Sequence, residues 1–424
     1  GKKWGFLAIW LQWIESTIWF PTVLTFAAVS LAFMGPGQRW DEALAANKWY
    51  VLIVVLCVYW AATLLNLRGM KTSAGVTKWG TIIGTIIPGA ILILMGLGYW
   101  AGGNPILLDM SWDKLVPDMS NFNNLVLAAS IFLFYAGMEM SAVHVKDVNN
   151  PGRNYPLAIL ISAIITVLIF VLGTLAIGFI IPNSQINLVQ SLLITYDSYF
   201  SFFGLGWMNW ILALALAVGV LAQVTAWVGG PSKGLYQVGL AGNLPPVMQK
   251  RNKNNVQMGI LLIQGGIVTL LSIMFVIMPS VQSAYQIISQ LTIILYLIMY
   301  MLMFASGIYL RYREPNTPRT FRIPGGRTFG MWVVGGLGLL ASLAAFLVSF
   351  IPPNQITVGS STMYILLLVV GTFIFAGIPF IIHAMAKPSW KRPVDPEDAF
   401  EPFGWEKNND SHSVATPSHS ISHE

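Results

Sequence analysis

A few side chains of this 424-residue sequence stand where their type and spacing could do chemistry. Glu139 follows Gly137 by two residues inside the apolar run Ser-Ile-Phe-Leu-Phe-Tyr-Ala-Gly-Met-Glu. Glu15 lies among Trp10, Trp13 and Trp19. Gln223 and Trp227 are four residues apart, as are Tyr296 and Tyr300, so each pair shares a helix face. His412, His419 and His423 punctuate the polar end of the chain. A carboxylate in an apolar run is costly unless it meets a cavity or a partner, and marks a functional site by default. A glycine beside it makes the backbone easier to open, and opened backbone at membrane depth survives only where it lines a cavity or is buried in protein. Freed N–H and C=O groups around Ala136, Gly137 and Met138 could then hold a zwitterion or an anion. The alternative is a glycine for close helix packing, with Glu139 hydrogen-bonded to a neighbour. The chemistry in view is recognition and proton handling rather than bond making. No Ser/His/Asp or Cys/His constellation is visible, and Gly325-Gly326 reads as a turn, not a phosphate loop. The three histidines lack metal-ligand spacing, so no metal or cofactor is expected.

The elements that must position these groups are set by composition. Charged residues are 9% of the chain and hydrophobic ones 55%, the profile of a polytopic membrane protein. Apolar runs long enough to cross a bilayer predict ten helices, at about 5–34, 48–67, 78–101, 122–145, 156–181, 207–232, 257–279, 284–310, 328–351 and 362–386. Pro88 is expected to kink the third of them. The single Cys57 falls inside a span, so no disulfide framework exists. The net charge of +6 is a matter of topology and not of nucleic-acid binding. Twenty of the 23 Lys and Arg residues fall in one alternate set of loops, and only Arg39, Lys48 and Lys114 in the other. That asymmetry predicts a cytoplasmic N-terminus and C-terminus and an even number of spans. The expected organisation is a membrane-embedded unit, 1–386, and a cytoplasmic tail, 387–424, whose prolines, carboxylates and serines give it no core. The loop 182–206, without a basic residue, has room for a short surface helix.

Several motifs together resemble a known family. Phe132, Phe134, Tyr135, Gly137 and Glu139, followed by Asn150-Pro151-Gly152-Arg153-Asn154-Tyr155-Pro156, resemble the sixth helix of the amino acid–polyamine–organocation transporters. Within that superfamily the chain is most similar to the bacterial glutamate/γ-aminobutyrate antiporters. The likeness extends through 219–256, 292–300 and the Arg-Thr-Phe-Arg-Ile-Pro-Gly-Gly run at 319–326.

The resemblance implies an all-α inverted-repeat fold of the LeuT type, with twelve helices in the family and the first two lacking here. Lys2-Lys3-Trp4-Gly5-Phe6 would then open the third helix, and the chain as written would not transport. It further implies a small-molecule amino acid substrate at the bacterial inner membrane, in acid resistance. Ala136, Gly137, Met138, Gln223, Trp227, Tyr296 and Tyr300 would bind it, and Glu139 and Glu15 would couple protons or brace the break. The tail, with His412, His419 and His423, would gate the inner vestibule by pH. Gln223 departs from the Glu that the best-known exchanger carries, which sets substrate choice apart. A proton-coupled permease and a transport-inactive membrane sensor stay open beside the antiporter.

Overall fold

The computed structural model describes residues 2–35, 37–111, 124, 126, 128, 131, 136–139, 142, 148–319, 321–326, 328–353 and 358–393. Among the described residues the regular structure is entirely helical, and nine helices are long and apolar enough to cross a membrane. The expected tenth span, 122–145, lies largely outside the described residues, as do His412, His419 and His423.

The chain opens with α1 (Lys2–Ala32), which is crossed or flanked by most of the other long helices. Beyond its first turn its side chains are apolar or small save Gln12 and Glu15, and most are buried. A helix that is apolar on every face belongs in the middle of a bundle. Pro21 sits within α1, where Thr25 donates its hydroxyl to the Pro21 carbonyl at 2.9 Å. The short amphipathic α2 (Gln38–Ala45) lies between α1 and α3 (Lys48–Leu67). Asn47 caps α3, its side chain accepting from the Trp49 and Tyr50 amides.

The next span is α4 (Met70–Thr81) and α5 (Ile87–Ala101), joined by a widened turn at Ile82–Ile86. The expected Pro88 perturbation takes this form. A proline inside a helix crowds the carbonyl four residues back, and one wide turn relieves the clash. The same turn brings Gly84 against Gly219 of α8 (Asn209–Val238), where a Cβ on Gly219 would fall 2.4 Å from the Gly84 carbonyl oxygen. Between them run α6 (Pro151–Ile180) and the shorter α7 (Ser191–Phe202), the surface helix for which the 182–206 loop has room. The bundle is completed by α9 (Met258–Ser272), α10 (Val281–Arg313), α11 (Leu337–Val348) and α12 (Ser361–Met385).

The core joins α1, α3, α8, α9 and α10, and buried polar groups stitch it together. Trp13 donates its indole N–H to Gln264 at 2.7 Å, and Asn66 bridges α3 to the Thr225 carbonyl of α8 at 2.9 Å. Lipid-facing surfaces carry exposed Ile, Leu and Val, densest along α6. After α12 the chain turns back onto the loop that follows α8. There Gln249 donates to the Trp390 carbonyl at 2.9 Å, and the Arg392 amide donates to the Leu240 carbonyl at 3.0 Å.

Candidate functional site

At Ala136–Glu139 the backbone is not α-helical: a turn at Ala136 and Gly137 is followed by tight helical geometry at Met138 and Glu139. Gly137 has φ +103°, a conformation open to glycine and strained for other residues. This turn folds the Glu139 carboxylate back over its own chain, so that the Gly137 N–H donates to Oε2 at 3.2 Å.

α10 approaches from the other side. Tyr296 donates its hydroxyl to Glu139 Oε1, and Tyr300 donates to Oε2 at 2.9 Å. The two rings meet edge to face, with centroids 4.7 Å apart. The four-residue spacing thus does what it predicts, placing both hydroxyls on one face, and the group they meet is Glu139. With two phenolic hydrogen bonds on one carboxyl group, the clasp holds this turn to α10.

Trp227 of α8 closes a third side. Its ring lies so close to Gly137 that a Cβ there would fall 2.9 Å from Cζ2. Trp19 of α1 stacks obliquely on Trp227, with centroids 5.7 Å apart. One turn before Trp19, Glu15 is 3% exposed, and its Oε1 has no hydrogen-bond partner among the described residues. It lies within electrostatic reach of Glu139 and Tyr296. Two carboxylates and two phenols on converging helices can hold a proton or pass one along. Beside them, the opened turn and two indole rings can receive a small polar molecule with an apolar stem.

The structure therefore brings together Gly137, Glu139, Trp227, Tyr296 and Tyr300, with Ala136 and Met138 in the same turn and Glu15 nearby. Gln223 is different. It lies one turn before Trp227, is exposed, and is joined to this cluster by no hydrogen bond among the described residues. Sequence reasoning took Trp19 only as a neighbour of Glu15. The signal was present, because Trp19 stands four residues after Glu15 and so shares its face. Also missed was a second polar cluster, at Asp41, Asp197 and Asn209, split between α2, α7 and the start of α8, stretches that carry no motif. Among the described residues no group of three or more His, Cys, Asp or Glu could hold a metal ion.

The sequence is similar to known proteins over most of its length. The amino acid permease family profile matches residues 1–375. An uncharacterized transporter of Legionella pneumophila is 37% identical over 381 residues, covering 90% of this chain and 81% of its own length. The glutamate/γ-aminobutyrate antiporter of Lactococcus lactis is 32% identical over 388 residues, 91% of this chain and 76% of its own length. A probable agmatine/putrescine antiporter of the same species is 23% identical over 327 residues, covering 76% of this chain and 67% of its own length.

Proposed function

This chain belongs to the amino acid permease family, within the amino acid–polyamine–organocation superfamily, and from that premise we propose that it is a secondary amino acid antiporter. It exchanges glutamate or a related amino acid for γ-aminobutyrate or another decarboxylation product, at the bacterial cytoplasmic membrane and in acid resistance. Residues at both ends of the sequence face the cytoplasm, a reading supported by the twenty-against-three division of Lys and Arg.

The observation that carries the proposal is the broken turn at Gly137–Glu139, clasped by Tyr296 and Tyr300 and faced by Trp227. Backbone groups of Ala136, Gly137 and Met138 receive the carboxylate or ammonium of the substrate, as half-helix ends do in transporters with discontinuous helices. Trp227 covers its apolar stem. Tyr296 and Tyr300 exchange hydroxyl partners between substrate and Glu139 as the site opens and closes. Glu139 and Glu15 take and release the proton that accompanies the cycle, and Glu139 also braces the turn. Gln223 selects among substrates at the margin, where a neutral amide accepts or donates without imposing a charge. The tail bearing His412, His419 and His423 gates the inner side, since unperturbed imidazoles gain charge as a cell acidifies.

Counterflow in proteoliposomes tests the reading. Labelled glutamate should enter vesicles preloaded with γ-aminobutyrate and fail to enter empty ones at the same pH gradient. Uptake driven by the pH gradient alone, without internal substrate, would establish a proton-coupled permease in its place.

A further inference from the structure

Away from the basic loops, α2, α7 and the start of α8 enclose a small pocket. Its apolar walls include Phe33, Leu193 and Leu212, and its polar groups are Asp41, Asp197 and Asn209. Asp41 is 5% exposed, and its Oδ1 has no hydrogen-bond partner among the described residues; the same is true of Asn209 Oδ1. One N–H of the Asn209 amide is already committed to Asp197 Oδ1. The pocket thus holds buried acceptors in excess of donors. A carboxylate is acceptor-only when ionised and gains a donor when protonated. Room for the Asp41 side chain is secured by Gly35, where a Cβ would lie 2.2 Å from Oδ1.

The charged and titratable groups around Asp41 do not supply a counter-charge. Arg39 on α2 is exposed, Glu42 on the same helix repels, Lys48 and Tyr50 stand at the start of α3, and α7 offers Asp197, Tyr196 and Tyr199. Burial raises Asp41 above its ordinary value, the Gly37 amide opposes that, and Asp197 and Glu42 add to it. Burial likewise raises Asp197, with Asn209 opposing and Glu42 adding. Tyr199 is pushed up to about 12, and Tyr196 is also raised, so both phenols stay neutral.

We propose that this pocket is a proton-binding site in which Asp41, once protonated, donates its new O–H to a buried acceptor and fastens α2 to α7 and α8. One link between these elements already exists, since Gln190 donates to the Glu42 carbonyl at 3.3 Å. The bound proton adds a second link that forms only in acid. The direction follows from the raised folded-state value. The stabilisation is fully present below the ordinary aspartate value of 3.8 and is lost as pH rises through the folded value.

The test uses the purified chain in lipid nanodiscs, titrated from neutral pH toward 3.8. The thermal midpoint should rise on acidification, and part of that rise should be absent in Asp41→Asn. Infrared spectra should show a protonated-carboxyl band that titrates above free aspartate and is missing from the same variant. Asp197→Asn keeps Asp41 but removes a repelling charge, so the Asp41 band should appear only at lower pH. That variant reads the site even if Asp41→Asn does not fold. An unchanged titration in Asp41→Asn, or an unmoved Asp41 band in Asp197→Asn, would overturn the proposal. So would a midpoint that rises with sodium at fixed pH in place of acid.

Discussion

Gly137 is constrained twice, by its positive φ and by the Trp227 ring where a side chain would go. Left-handed backbone costs a residue with a Cβ about 1–2 kcal/mol, and forced overpacking about 1–3 kcal/mol more. Gly137→Ala should therefore lower transport at least about tenfold while the protein still inserts, as read by uptake at matched membrane expression. Tyr300→Phe removes one donor from Glu139, a hydrogen bond worth about 0.5–1.5 kcal/mol net. Its thermal midpoint should fall, and Glu139→Gln should alter the pH profile of uptake. A lower yield with an unchanged profile would make Glu139 a brace alone. At this scale the sequence was half legible. Glu139, Gly137 and each tyrosine stand out by residue type and spacing. Their meeting does not, because Glu139 and Tyr296 are 157 positions apart and no periodicity encodes a contact between two helices. The same holds for Asp41 and Asp197, which drew no notice on the separate short helices α2 and α7.

Helix positions were the most legible feature, since an apolar run has few other ways to be buried. The expected 48–67 coincides with Lys48–Leu67, and 362–386 is matched by Ser361–Met385. Helices depart from expectation where they outrun the bilayer. Hydropathy marks the apolar slab, whereas backbone hydrogen bonding continues through polar turns. Thus α6 begins at Pro151, not 156, and the helix expected over 207–232 continues through a wide turn to Asn243. The crossing of α8 by the widened turn before α5 was not legible, because glycines in membrane helices are common and only the fold pairs Gly84 with Gly219. That pair yields a prediction at the scale of elements. Gly219→Val must separate two backbones that now touch, at a cost of about 1–3 kcal/mol or more. Its thermal midpoint should drop clearly, whereas Gly266→Val, on α9 with open space at its Cβ, should leave the midpoint nearly unchanged.

For the whole molecule, loops sort onto two faces. Leu67 meets Asn252 and Asn254 on one, where Leu240 and Gln249 also meet the segment after α12. The other face holds α2 and α7. In the orientation proposed above, the first faces the cytoplasm. With Cys57 replaced by serine, single cysteines placed in 68–77, 233–256 and 312–326 should resist an impermeant thiol reagent added to intact cells. Ones in 102–111 or 358–361 should react, and labelling of 312–326 from outside would reverse the orientation. The contact of Gln249 and Leu240 with Trp390 and Arg392 has a mechanical meaning as well. It ties together points 141 residues apart in the chain, so α9 to α12 form a closed circuit whose two ends cannot separate without breaking those bonds. Leu240 is continuous with the helix that carries Trp227. Tension applied to the chain beyond Arg392 therefore reaches the Trp227 helix as well as the last span, by way of a hydrogen-bonded leash rather than through the packed interior.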